Sequence, residues 1–344
     1  MIATLPYYGI RHPYNPAFYL RPQYFEAISK ALESDSNQGL PIVALVGPGG
    51  CGKTQVAINY AHLTCSYDVV LWCAAGNRAS VSESYFSHAR VLGLIGKDEV
   101  LPEDHVIRLL RKWLVTCSTS GNLTKWLIIF DDMDQFEDIA DYWPTGASGS
   151  ILITSRNQRF TKVDIELLIP MSGLDSADAQ RFLLSSYPRK DKLGIKESRA
   201  AALIAEKLGF LPLALDQARR HVFSSHSSYV QFLDEFMHYS DTARQHRGYH
   251  STLSSAFTLA ISRISKNALL ILHLLSILNP DYIPLTFFGS DESRFQCPQL
   301  TTAYRLFNDP NLVDEVPELQ DWLENPFQQV DEYCKTLSFK RGVF

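Results

Sequence analysis

Two hydrophobic periods alternate along the chain as far as residue 170, and only one of them continues beyond it. Short apolar runs rich in Val, Ile and aromatic residues predict buried strands over 41–46, 68–74, 125–130 and 149–156. Between them apolar residues recur at helical spacing. Phe25, Ile28 and Leu32 do so in 24–32, and Val56, Ala57, Tyr60 and Ala61 do so after residue 54. In 103–115 the stripe is Val106, Leu109, Leu110, Trp113 and Leu114, and 80–92 also reads as an amphipathic helix. This alternation predicts a parallel sheet covered by helices on both faces.

After Pro170 the pattern is helical only, with helices expected over 176–185, 197–208, 213–223 and 229–239. Gly209 suits a helix C-terminus and Pro212 the first turn of the next helix. The polar, basic stretch 240–250 is the expected domain boundary. Leu253, Phe257, Ile261 and Ile264 then open another helical pattern. The run 268–278 is apolar on nearly every face and is stopped by Asn279-Pro280, as expected of a helix buried in a small domain. Further helices are expected at 318–323 and 327–337. The resulting division is an N-terminal arm (1–22), an α/β domain (23–168), a helical domain (169–245) and a third domain (250–344).

Composition narrows the class. The 344 residues suit two or three domains, and 46% hydrophobic with 20% charged residues is a soluble globular composition. A net charge of −5 argues against a nucleic-acid partner. The first twenty residues lack the apolar core of a signal peptide, and the longest apolar run is too short to span a bilayer. Cys51, Cys65, Cys73, Cys117, Cys297 and Cys334 show no paired or metal-ligand spacing, which suits a reducing compartment. The expectation is a cytoplasmic protein with no membrane partner.

The chemistry concentrates after the first long strand, at Gly47-Pro48-Gly49-Gly50-Cys51-Gly52-Lys53-Thr54. Glycines let a backbone wrap a phosphate closely, and the helix that follows points its positive end at it. Lys53 suits the β- and γ-phosphates and the Thr54 hydroxyl suits Mg²⁺. Asp131 and Asp132 end a strand whose C-terminus is where ligands sit in open α/β sheets. One such carboxylate can hold Mg²⁺ through its water shell and the other can orient an attacking water. Arg156, at the end of 149–156, suits a bidentate contact to a γ-phosphate; alone it fits a surface arginine equally well. Cys51, beside Lys53 and a helix N-terminus, has a setting that lowers a thiol pKa; a small loop residue is the default there and a redox role the alternative. His238, His246 and His250 lie in a polar segment without partners at ligand spacing, so a solvated linker is the default there.

In order along the chain, the phosphate loop, the Asp131-Asp132 strand, the Ser155-Arg156 strand and Gly209-Phe210-Leu211-Pro212-Leu213-Ala214 resemble the NB-ARC domain of STAND-class proteins. The resemblance runs from about Asn15 to Pro284. It implies an α/β P-loop NTPase domain, an all-α helical bundle and a winged-helix domain that is incomplete here, with ATP or ADP and Mg²⁺ held between them. Gly47 to Thr54 and Gln55 would line the nucleotide, and Thr54 and Asp131 would serve Mg²⁺, partly through water. Asp131 and Asp132 would be the catalytic pair. Arg156 would be the sensor arginine, and Pro212 would pack on the nucleotide. Arg21, in Phe18-Tyr19-Leu20-Arg21, would lie near adenine. The family's late winged-helix histidine has no counterpart, since no His follows His273 and the chain stops at Phe344. Either that contact is absent or the chain is truncated.

The implied function is a nucleotide-dependent signalling switch: closed with ADP, self-associating with ATP, reset by slow hydrolysis, with effector or repeat-domain partners. The alternative is a nucleotide-binding scaffold or decoy fragment without significant turnover. A GTPase is disfavoured because no Asn-Lys-x-Asp follows the acidic strand.

Overall fold

The computed structural model describes residues 5–246 except 11, 17, 34–38, 65, 97–98, 117, 120–121, 146–148, 158–159, 161–162 and 186–193. The chain divides into two units, Met1–Leu174 and Asp175–Phe344.

In the first unit the apolar runs form the strands of one sheet: β1 (Tyr7–Gly9), β2 (Ile42–Val46), β3 (Val69–Ala74), β6 (Trp126–Asp131), β7 (Gly149–Ser155) and β8 (Leu167–Pro170). A separate two-residue ladder pairs β4 (Ser118–Thr119) with β5 (Asn122–Leu123). The sheet order is β1-β3-β6-β7-β2-β8, and every pairing is parallel. All residues of β2 and β7 are buried, as are all but the last of β3 and β6. Burial on both faces is why these strands read as continuous apolar runs rather than as alternating ones.

The crossovers are α1 (Pro22–Leu32), α2 (Lys53–Leu63), α3 (Arg78–Val91) and α4 (Glu103–Thr116). In α4 the buried residues are Val106, Ile107, Leu110 and Leu114, while Leu109 and Trp113 pack half-buried beside them. Asn77 caps α3 by accepting from the Ser80 N–H at 3.0 Å. A short 3₁₀ turn, Ala140–Tyr142, closes over the α3–α4 layer, and the Tyr85 hydroxyl donates to the Tyr142 carbonyl.

Two edge strands were not predicted. β1 has three residues, and its existence rests on the register Tyr7↔Val69, Tyr8↔Val70 and Gly9↔Leu71 with β3. Its attachment is reinforced by the Tyr7 hydroxyl 3.0 Å from Nδ1 of buried His88, whose Nε2 lies 2.9 Å from the Trp72 carbonyl oxygen. β8 ends in Pro170, opposite Val46, on the sheet edge, where a missing N–H breaks no ladder bond.

Four helices are described in the second unit: α5 (Ser176–Ser185), α6 (Ile195–Lys207), α7 (Pro212–Ser224) and α8 (Tyr229–His246). They bury Phe182, Leu183, Ile204, Leu208, Leu215, Val222, Phe232 and Phe236. α6 ends in a Schellman motif: the Phe210 N–H donates to Ala205 O at 2.9 Å and the Gly209 N–H to Glu206 O at 3.0 Å. Pro212 then opens α7 at its first position. The stretch 240–246, expected to be a linker, continues α8 to His246; no Gly or Pro interrupts it before Gly248. The winged-helix expectation over 250–344 lies outside the described residues.

Among the described residues Trp126 is the largest fully buried side chain, and its indole N–H donates to Leu114 O at 3.0 Å. Trp126→Ala is expected to lower stability by about 3–5 kcal/mol in urea denaturation, through lost burial and the cavity left behind.

Candidate nucleotide-binding site

Parallel pairing brings three strand ends to one edge of the sheet. β7 lies between β2 and β6, with Val46 opposite Ser155 and Phe130 opposite Ile153. The residues that follow these positions are the Gly47–Gly52 loop, Asp131-Asp132 and Arg156. Sequence separations of up to about a hundred residues thus collapse onto one crevice.

The loop is shaped by close approach. A Cβ at Gly47 would lie 2.1 Å from the Met171 carbonyl oxygen, so no side chain fits there. Gly52, with φ of 99°, is the N-cap of α2 and supplies no side-chain cap. The first N–H groups of α2 therefore keep the positive end of the helix undischarged by any capping oxygen.

Two cations support this loop. Lys53 is only 8% exposed, and its Nζ donates to Gly47 O at 2.9 Å and Pro48 O at 3.1 Å. Arg21 is 5% exposed and donates from Nη2 to Cys51 O at 2.6 Å and from Nη1 to Ser172 O at 3.2 Å. Among the described residues neither forms an ion pair; Lys53 rests on carbonyl oxygens, and Arg21 on carbonyl oxygens and the Tyr24 ring, whose centroid lies 5.5 Å from its guanidinium carbon. Gln55, in the first turn of α2, accepts from Asn15 Nδ2 at 2.9 Å, which ties the N-terminal arm to the site.

Opposite the cations is an acid cluster. Asp131 Oδ1 accepts from the Thr54 hydroxyl at 2.8 Å and from the Thr154 hydroxyl at 2.6 Å. Thr154 Oγ1 in turn accepts the Asp132 N–H at 2.9 Å. That bond holds Asp132 at φ of 61°, a left-handed conformation that Asp tolerates better than most residues. Asp132 Oδ2 lies 3.4 Å from Arg156 Nη2, and Asp134 Oδ2 lies 2.9 Å from Arg156 Nε.

The donor set fits Mg²⁺. A threonine hydroxyl and one carboxylate are hard oxygen ligands, and Mg²⁺ binds through few carboxylates and keeps its remaining positions for water and phosphate. Among the described residues no group of three or more His, Cys, Asp or Glu could hold a metal ion by itself. The glycine loop, the uncapped helix and the acid-free buried Lys53 fit a polyphosphate.

Residues 21–178 match the model of the NB-ARC domain. This part of the chain belongs to the NB-ARC family. A nucleotide-binding leucine-rich repeat (NLR)-like protein of Hyaloscypha variabilis is 25% identical over 246 residues, covering 64% of this chain and 24% of that protein. Disease resistance protein RFL1 of Arabidopsis thaliana is 26% identical over 219 residues, covering 57% of this chain and 22% of that protein. The chain thus spans about a quarter of the length of these relatives. A STAND protein with a tetratricopeptide repeat sensor from Pyrococcus horikoshii, 15% identical, aligns over 86% of this chain and 40% of its own, with a TM-score of 0.48.

Within the NB-ARC domain the structure brings together Gly47 to Gln55, Asp131, Asp132 and Arg156. It gives Arg21 a place behind the loop backbone, through Cys51 O. Pro212 belongs to the second unit, at the start of α7. Sequence reading missed three participants: Thr154, Asp134 and Asn15. The strand over 149–156 was visible, but which of its hydroxyls faces which carboxylate depends on the β6–β7 register.

The expected lowering of the Cys51 thiol pKa is corrected. Burial pushes its thiol pKa up, and this outweighs the lowering effects of Lys53 and Arg21. The thiol, fully buried, is therefore a packing residue and not an activated one. Its folded form keeps its proton where the unfolded chain gives it up. Its contribution is intact below about pH 8.5 and is lost as pH rises further. Alkylation of the native protein at pH 7, mapped by mass spectrometry, is expected to leave Cys51 and buried Cys73 unlabelled, and to label both after denaturation.

Proposed function

We propose that this NB-ARC chain is an adenine-nucleotide switch that takes ADP and ATP, with Mg²⁺, at the Gly47–Thr54 loop. One observation carries the reading: Lys53 is a buried ammonium on a glycine loop at an uncapped helix start, with only backbone carbonyls as partners. A buried charge left without a counter-ion is costly, and a phosphate supplies one.

In this reading the backbone N–H groups of the loop and Gln55 surround the phosphates, and Thr54 and Asp131 hold Mg²⁺, partly through water. When bound, Mg²⁺ neutralises charge on the phosphates. Asp132 orients the attacking water, and Arg156 distinguishes ATP from ADP by its γ-phosphate. Arg21 steadies the loop on the adenine side. A winged-helix domain would follow within 250–344. ADP favours a closed form, ATP favours a self-associating one, and slow hydrolysis resets the cycle. Such a switch requires different affinities of the two forms for the two nucleotides, not merely tight binding. Effector or repeat-domain proteins are the partners, and the cytoplasm is the compartment. Among the described residues no helix is long and apolar enough to cross a membrane.

A scaffold without turnover is the second reading. It draws on the contact between Asp132 and Arg156, which ties up the acid meant for water. Phosphate release by the parent and by Asp132→Asn separates the two, since only a switch with turnover shows a difference.

Lys53→Ala is expected to weaken ADP and ATP about 10- to 100-fold, the range for a lost hydrogen bond to a charged group. Titration with a fluorescent adenine nucleotide reads this directly. The melting temperature should hold or rise, because an acid-free buried charge is removed. Unchanged affinity would overturn the reading.

A further inference from the structure

Arg156 is built into the end of β7 by Asp134. Asp134 accepts three hydrogen bonds there: Oδ1 takes the Arg156 backbone N–H at 2.8 Å and the Ser155 hydroxyl at 3.1 Å, and Oδ2 takes Arg156 Nε at 2.9 Å. Its own carbonyl accepts Asn157 Nδ2 at 3.1 Å. The result is a clasp around both the backbone and the side chain of one arginine. Asp134 engages the Nε edge of the guanidinium. The Nη2 tip is then directed to Asp132 Oδ2, at the longer distance of 3.4 Å.

Stability is a poor explanation for this arrangement. The Arg156 side chain is 49% exposed and that of Asp134 31%, and ion pairs so exposed contribute little to folding. Orientation is the better one. A free arginine side chain samples many rotamers, and fixing the Nε edge leaves the two terminal nitrogens pre-set as a fork. The fork faces Asp132, beside Asp131 and Thr54, where the loop and the acids meet. An anionic oxygen arriving there finds a guanidinium already aimed, and among the described residues its competitor for Nη2 is the longer Asp132 contact.

We infer that Asp134 is a positioning residue for Arg156, holding its fork toward the acid end of β6 so that this chain separates nucleoside triphosphates from diphosphates. The inference rests on the adenine-nucleotide reading and deepens it. Asp134 itself touches no phosphate; it acts through Arg156 alone.

The test is a double-mutant cycle read on two ligands: ADP and a non-hydrolysable ATP analogue, each with Mg²⁺. The full chain, Asp134→Asn, Arg156→Ala and the double variant are titrated. Asparagine keeps an oxygen for the Arg156 N–H and the Ser155 hydroxyl but presents an NH₂ to Nε, so it releases the fork. Asp134→Asn is expected to weaken the ATP analogue about three- to tenfold, the cost of ordering one long side chain on binding, and to leave ADP unchanged. In the Arg156→Ala background the same substitution should have no further effect. Asp134→Glu, which retains a carboxylate for Nε, should recover part of the loss. An equal loss of both ligands would make Asp134 a purely structural residue and overturn the inference, as would additive effects in the double variant. Unchanged analogue affinity in Asp134→Asn, with the parent binding both ligands, overturns it while leaving the adenine-nucleotide reading intact. A parent chain that binds neither ligand overturns both.

Discussion

Everything at the site depends on the in-register parallel pairing of β6, β7 and β2. Parallel strands end at one edge, so a loop, two carboxylates and an arginine far apart in sequence share one crevice. The apolar faces of the same strands form the core, so the alignment is enforced by burial and not by the polar residues themselves. A slip of one residue in β7 would turn Thr154 away from Asp131 and send apolar side chains to the wrong face. The chemistry is therefore as firmly placed as the core beneath it.

Charge is divided across this crevice. Lys53 and Arg21 lie on the loop side, buried and supported by carbonyl oxygens, with the positive end of α2 between them. Asp131, Asp132 and Asp134 lie on the acid side: the Asp131 carboxylate accepts from hydroxyls, that of Asp132 from the Arg156 guanidinium, and that of Asp134 from a hydroxyl, a backbone N–H and the same guanidinium. Cations without acids on one side and satisfied acids on the other suit a polyanion that needs a divalent ion to approach the second side. Burial of Cys51 follows from the same packing. The loop that wraps a phosphate presses its own thiol into the core and keeps it protonated.

Residues 21–178 match the NB-ARC domain, and the chain spans about a quarter of the length of its relatives. The arm is tied to that domain. β1 extends the sheet beyond β3, and Asn15 reaches Gln55 at the start of α2. Segments preceding the first helix are thereby coupled to the domain through the three-residue β1, the Asn15–Gln55 hydrogen bond and the contact of the His12 carbonyl oxygen with His62 on α2.

Much of this was legible in the sequence, because it was written in local patterns. Continuous apolar runs marked β2, β3, β6 and β7, helical spacing marked α1 to α7 to within a few residues, and the glycines with Lys53 and Thr54 marked the loop. Asp131, Asp132 and Arg156 were visible as polar residues at strand ends. Non-local relations were not visible. β1 and β8 are strands only because a neighbour offers them an edge, and the strand order that seats β7 between the loop and the acids is a property of the folded sheet. The state of Cys51 was misread because local charges were apparent and burial was not. Sequence by itself determined which groups this protein has for meeting a phosphate. Tertiary structure decided which of them face one another, because register and burial are set by contacts between distant segments.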